Sequence, residues 1–112
     1  MSAGGFGFMR ACSLAEVPDE GLLPVELAGR PLMIVRSGGE VFAIDEYCTH
    51  AEVSLADGEI SDQTVECWLH GSRFDLRTGK PVGPPASKPI GSYPVRDADG
   101  DVFVSLEPDQ ES

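Results

Sequence analysis

Two cysteine-histidine pairs, Cys48-Thr49-His50 and Cys67-Trp68-Leu69-His70, constrain this chain more than any other feature. They use both histidines of the chain and two of its three cysteines, with residues 51–66 between them. A fold that serves them must bring two separate segments to one point. Thiolate and imidazole together suit zinc or an iron-sulfur centre, so donor type alone leaves the metal open. Spacing says more. In the common zinc finger the cysteines form one knuckle and the histidines share a helix. Here each segment offers one Cys and one His, and Gly71 follows His70 at once.

The sequence around the pairs reads as short strands and turns. Thirteen Gly and nine Pro in 112 residues, against 41% hydrophobic residues, indicate an all-β, loop-rich fold with a compact core. Phe8 to Cys12 is a first strand, and Ser13 to Val17 a brief helical turn capped by Ser13 and stopped by Pro18. Pro24–Ala28, Leu32–Arg36 and Glu40–Asp45 come next as strands separated by turns at Gly29-Arg30 and Ser37-Gly38-Gly39. Leu32, Met33, Ile34 and Val35 form a run suited to burial on both faces. Tyr47 to Asp57 lacks periodicity and reads as a loop. Glu59–Ser61 and Thr64–Cys67 flank an Asp62-Gln63 turn, and Trp68–Ser72 is a second loop. Arg73–Leu76 and Lys80–Val82 frame Thr78-Gly79. The segment from Gly83 to Pro89 is too rich in proline for a central strand. Ile90–Arg96 and Asp101–Leu106 form a closing hairpin, while residues 1–7 and 107–112 read as flexible ends of a single domain, 1–112.

Charge and hydropathy narrow the function. Nineteen acidic residues against eight basic ones give a formal charge of −11, which disfavours nucleic acid and anionic membranes. The longest apolar runs are far below the roughly twenty residues of a membrane span, and no basic-then-apolar leader opens the chain. The reading is a cytoplasmic protein. Three cysteines without a secretion signal do not suggest a disulfide framework. Cys12 has no nearby ligand or cysteine partner and reads as a small buried hydrophobe.

The run C-T-H, sixteen residues, then C-W-L-H-G-S-R-F-D-L-R-T-G-K resembles the cluster-binding segment of Rieske proteins, most specifically over Cys48 to Pro89. The resemblance implies a Rieske fold: an antiparallel sandwich or barrel base carrying a cluster-binding subdomain from about residue 46 to 89. It implies one 2Fe-2S cluster, with Cys48 and Cys67 on the inner iron and His50 and His70 on the outer. Two ferric ions, two sulfides, two thiolates and two neutral imidazoles sum to zero charge. Replacing two thiolates by imidazoles therefore raises the potential, to roughly −150 to +300 mV against about −400 mV for plant-type ferredoxins.

Departures within the family refine this. High-potential members carry a disulfide between the cluster loops, but the corresponding positions here resemble Val53 and Leu69. Phe74 stands where those members place a Tyr that donates toward a ligand sulfur, so a potential at the low end is expected. Ser72 matches a serine that donates toward a bridging sulfide. Gly83 and Pro84 resemble the proline-rich third loop over the cluster, and Trp68 reads as a cover that keeps water from it. Within the family the chain resembles the soluble ferredoxins of ring-hydroxylating dioxygenase systems, which are electron carriers and not themselves enzymes. Its partners would be a flavin- and NAD(P)H-dependent ferredoxin reductase and a terminal oxygenase. The alternative is an accessory protein reporting redox or iron status alongside iron-sulfur cluster assembly.

Overall fold

The run Leu32 to Val35 is fully buried, and it divides the interior in two. In the computed structural model, which describes residues 8–47, 54–68, 71–82 and 89–106, ten strands form three antiparallel sheets. They are β1 (Phe8–Ser13), β2 (Gly21–Leu27), β3 (Arg30–Ser37), β4 (Glu40–Asp45), β5 (Glu59–Ser61), β6 (Thr64–Glu66), β7 (Arg73–Asp75), β8 (Ser92–Tyr93), β9 (Val95–Ala98) and β10 (Asp101–Ser105). The sheet orders are β1-β10-β9, β2-β3-β4-β8 and β5-β6-β7. The all-β reading holds.

Side chains alternate across a strand, so a strand buried on both faces must serve two cores. Leu32 and Ile34 pack with Cys12, Val17, Leu27, Ala43, Val102 and Val104 against the β1-β10-β9 sheet. Met33 and Val35 point the other way, joining Phe42, Ile44, Leu55, Val65, Cys67, Phe74, Leu76 and Ile90. The sheet containing β3 is thus the middle layer, with the β5-β6-β7 sheet on its far side. Each fully buried Leu, Ile, Val or Met side chain contributes roughly 1.5–3 kcal/mol. Pro24 sits in β2, an edge strand, where a missing N–H is tolerated.

The small sheet obeys a strict binary pattern. Ile60, Val65 and Phe74 occupy one set of alternating positions, Val65 facing both Ile60 and Phe74 in register. Glu59, Ser61, Thr64, Glu66, Arg73 and Asp75 occupy the other, and Arg73 bonds Glu66 at 3.2 Å and Thr64 at 3.1 Å across that face.

Several boundaries differ from the sequence reading. The first hairpin turns at Ala28-Gly29, both at positive φ, so Arg30 already belongs to β3. The brief helical turn is a single 3-10 turn, Leu14–Glu16, with the Glu16 carboxylate accepting from Ser13 N–H at 3.4 Å. Among the described residues Lys80–Val82 is no strand; one bridge, Phe74 to Pro81, remains. The closing hairpin is broken at Pro94, which has no N–H to continue a ladder. There the chain changes sheets: β8 pairs with β4, and β9 with β10. The two ends expected to be flexible lie outside the described residues.

Candidate metal centre

Of the four candidate ligands, Cys67 lies among the described residues; Cys48, His50 and His70 lie outside them, as do Val53, Leu69, Gly83 and Pro84. Cys67 follows β6 and is fully buried as a free thiol. Both of its backbone groups are engaged: its N–H donates to Ser72 O at 2.6 Å, and its carbonyl accepts from Gly71 N–H at 2.9 Å. Gly71 adopts a left-handed φ of 77° that closes this turn. The second loop is therefore pinned at its base, directly beside the thiol.

The first loop is pinned too. Tyr47 and Ser54 form an isolated antiparallel bridge on either side of residues 48–53. Glu46 reinforces it twice: its carbonyl accepts from Leu55 N–H at 2.6 Å, and its carboxylate from Ser54 Oγ–H at 2.8 Å. Ser54 Oγ in turn accepts from Ala56 N–H at 3.1 Å, starting the 3-10 turn Leu55–Asp57. On either side of residues 83–88, Val82 N–H donates to Arg73 O and Ile90 N–H donates to Gly79 O, both at 2.8 Å. Gly79 has a φ of 79°, and a Cβ there would collide with Ile90 O, so the returning chain needs a glycine at this position.

These closures share one apolar core. Leu55 follows the first loop, Cys67 opens the second and Ile90 follows the third, and all three belong to the same buried cluster as Phe74. Cys67 is thus a buried thiol in the same apolar core as Leu55 and Ile90, which lie just beyond residues 48–53 and 83–88. The donor types, two thiols and two imidazoles, suit an iron-sulfur centre of the Rieske kind.

The remaining expected residues divide. Phe74 and Ser72 are fully buried, in keeping with a place close to the centre. Trp68 is 52% exposed, so half of its surface faces solvent. Tyr47 and Val82, at the mouths of the first and third loops, are exposed as well. Arg73 and Arg77 are engaged within the chain, Arg73 bonding Glu66 at 3.2 Å and Arg77 bonding Glu40 at 2.7 Å. Glu46 and Ser54 were not singled out by the sequence, and Gly79 only as part of a turn. The one signal of the first two is position, close outside residues 48–53. Among the described residues no helix is long and apolar enough to cross a membrane.

Comparisons with known proteins agree with this geometry. The family profile described as Rieske [2Fe-2S] domain matches residues 7–94. The 3-phenylpropionate/cinnamic acid dioxygenase ferredoxin subunit of Photorhabdus laumondii is 38% identical over 100 residues, covering 88% of this chain and 94% of that protein. Among solved structures, the complex of oxygenase and ferredoxin in carbazole 1,9a-dioxygenase matches with a TM-score of 0.86 at 29% identity, covering 94% of this chain and 98% of the matched one. The Sphingomonas yanoikuyae B1 ferredoxin gives 0.82 at 35% identity, over 88% and 97%. With a matching profile across most of its length, a relative 38% identical and a shared fold, the chain belongs to the Rieske [2Fe-2S] domain family.

Proposed function

We propose that this protein is the one-electron ferredoxin of a ring-hydroxylating dioxygenase system. Its cluster is held by Cys48 and Cys67 on one iron and by His50 and His70 on the other, within a subdomain spanning about residues 46–89 of a single domain. When bound, the cluster supplies a site that accepts and returns one electron. The chain's own residues hold it in place: Glu46 and Ser54 close the first ligand loop, the backbone hydrogen bond from Cys67 to Ser72 closes the second, and Phe74 and Leu55 keep its floor dry. The observation that carries this reading is the buried Cys67 thiol at the root of three closed loops.

Electrons come from a flavin-dependent, NAD(P)H-oxidising reductase and pass to a terminal oxygenase. Both histidines are committed to the cluster, so the chain has none left for a mononuclear iron site that would activate oxygen. The cytoplasm is the proposed compartment. Phe74, lacking a hydroxyl to donate, sets the potential near the low end of the Rieske window.

The decisive measurement is a low-temperature electron paramagnetic resonance spectrum of the dithionite-reduced protein, expected to give the low average g of a Rieske centre. Redox titration should give a midpoint below about +100 mV; a higher value contradicts the role given to Phe74. Rapid reduction by a ferredoxin reductase and reoxidation by an oxygenase complete the test. A cluster that neither partner turns over points instead to the accessory, status-reporting role.

A further inference from the structure

The chain leaves the base at Asp45 and returns at Gly91, and three residues lock that neck. In the β4-β8 ladder Ala43 faces Tyr93 and Ile44 faces Ser92, so Asp45 and Gly91 meet one step further along. Asp45 N–H donates to Gly91 O at 3.0 Å, and Gly91 N–H donates to Asp45 Oδ2 at 2.8 Å. The other carboxylate oxygen, Oδ1, accepts the Tyr93 hydroxyl at 2.6 Å. One side chain therefore grips the returning strand through both oxygens. Hydrogen bonds to a charged acceptor are about twice as strong as neutral ones, and this group is only half-exposed.

The site is built around that carboxylate. A Cβ at Gly91 would stand 2.7 Å from Asp45 Oδ2 and 2.8 Å from Tyr93 Oη, so the clasp fills the space a side chain would take. Arg30, Pro31 and Tyr47 complete the wall around Asp45 and Tyr93. Burial and the Asp45 carboxylate push the Tyr93 phenol above its ordinary range, with Arg30 opposing.

The residues just after Asp45 give the clasp its role. Glu46 grips the far side of the first loop through Ser54 and Leu55, and Cys48 is three residues beyond Asp45. Two consecutive carboxylates thus divide the work: one fixes the loop to the base, the other fixes the loop to itself. We infer that Asp45, acting through Gly91 and Tyr93, is a positioning residue for the proposed ligand Cys48, setting where the first ligand loop leaves the base. This role deepens the proposed electron-carrier function and rests on it for the identity of the ligand.

The test compares holoprotein variants Tyr93→Phe and Asp45→Asn with Val102→Ala, whose fully buried side chain lies in the core against which the Tyr93 ring also packs but outside the core that holds Cys67. Three readouts are taken well below the unfolding temperature: release of cluster iron to excess ferrozine, the g-anisotropy of the reduced spectrum, and amide hydrogen exchange. Tyr93→Phe and Asp45→Asn should release iron about tenfold faster, as expected for loss of one charge-assisted hydrogen bond. They should also shift the g-values and speed exchange at residues 45–47 and 54–56 while sparing β1 and β10. Val102→Ala should lower the melting temperature yet leave iron release and the spectrum unchanged. Wild-type iron release in both neck variants overturns the inference. So does iron release that simply tracks melting temperature across all three. If a neck variant loads no iron while its β1 and β10 amides exchange as in wild type, the inference is supported. Should the wild-type protein itself lack a Rieske spectrum, the ligand proposal fails, and the exchange comparison still decides the clasp.

Discussion

The base and the proposed cluster-binding insertion are held by different physics. The base rests on long ladders, such as the seven paired residues of β2 and β3, and on a strand buried along four consecutive positions. The insertion has strands of three residues, too short for a ladder to hold alone, and a polar outer face. Its order comes from closures: a carboxylate on a serine, a backbone pair beside a cysteine, a carbonyl resting on a glycine. Burial builds a platform. Closure builds a frame of fixed side chains, which the proposed cluster would complete.

Several experiments would break or sharpen that contrast. The largest effect is expected from Cys67→Ser, which should cut bound iron and visible absorption below about a tenth of wild type, since a structural metal site loses most of its affinity with one ligand. Far-ultraviolet circular dichroism should meanwhile show the base intact; a collapse of the whole fold would mean that the platform depends on the socket. Leu32→Ala should do the reverse. Removing a fully buried leucine from the base core costs about 2–5 kcal/mol in chemical denaturation, with the reduced-state spectrum unchanged below the transition.

Gly79→Ala should be intermediate, costing about 1–3 kcal/mol because it combines a left-handed backbone with a clash against Ile90 O. Its signature would be faster iron loss rather than a lower melting temperature of the base. The smallest effect concerns pH. Burial, then Glu16 and Asp101, raise the Cys12 thiol above 9.0, with Arg10 opposing. The folded state then holds this proton more tightly than the unfolded chain. The contribution is fully present below pH 9.0 and is lost as pH rises toward the raised value. Melting temperatures across that range should fall in wild type and fall less in Cys12→Ala.

Much of the platform was legible in the sequence because burial leaves a periodic trace. The run Leu32 to Val35 announced a two-faced strand, and the Asp62-Gln63 turn appeared where expected, with both residues at positive φ. Turn positions slipped where two adjacent residues were equally suited, as at Ala28-Gly29-Arg30. The sheet change at Pro94 was missed because a hairpin and a crossover share the same alternation until partners are known. The family was legible from the two cysteine-histidine pairs, of which the described residues include Cys67, fully buried. The closures were not legible. Glu46, Ser54, Asp45 and Tyr93 are ordinary polar residues in sequence, and their work depends on partners up to 48 residues away.

The bridge between Tyr47 and Ser54 has one more implication, for how such a chain can change over generations. Because residues 48–53 are entered and left on a single bridged pair, residues added after the proposed ligand His50 would alter no ladder among the described residues. One residue added between Thr64 and Glu66 would instead turn Val65 outward and expose the floor of the site. Length can therefore vary beyond the proposed ligands of this segment at less structural cost than within the small sheet, whose alternation admits no single-residue shift.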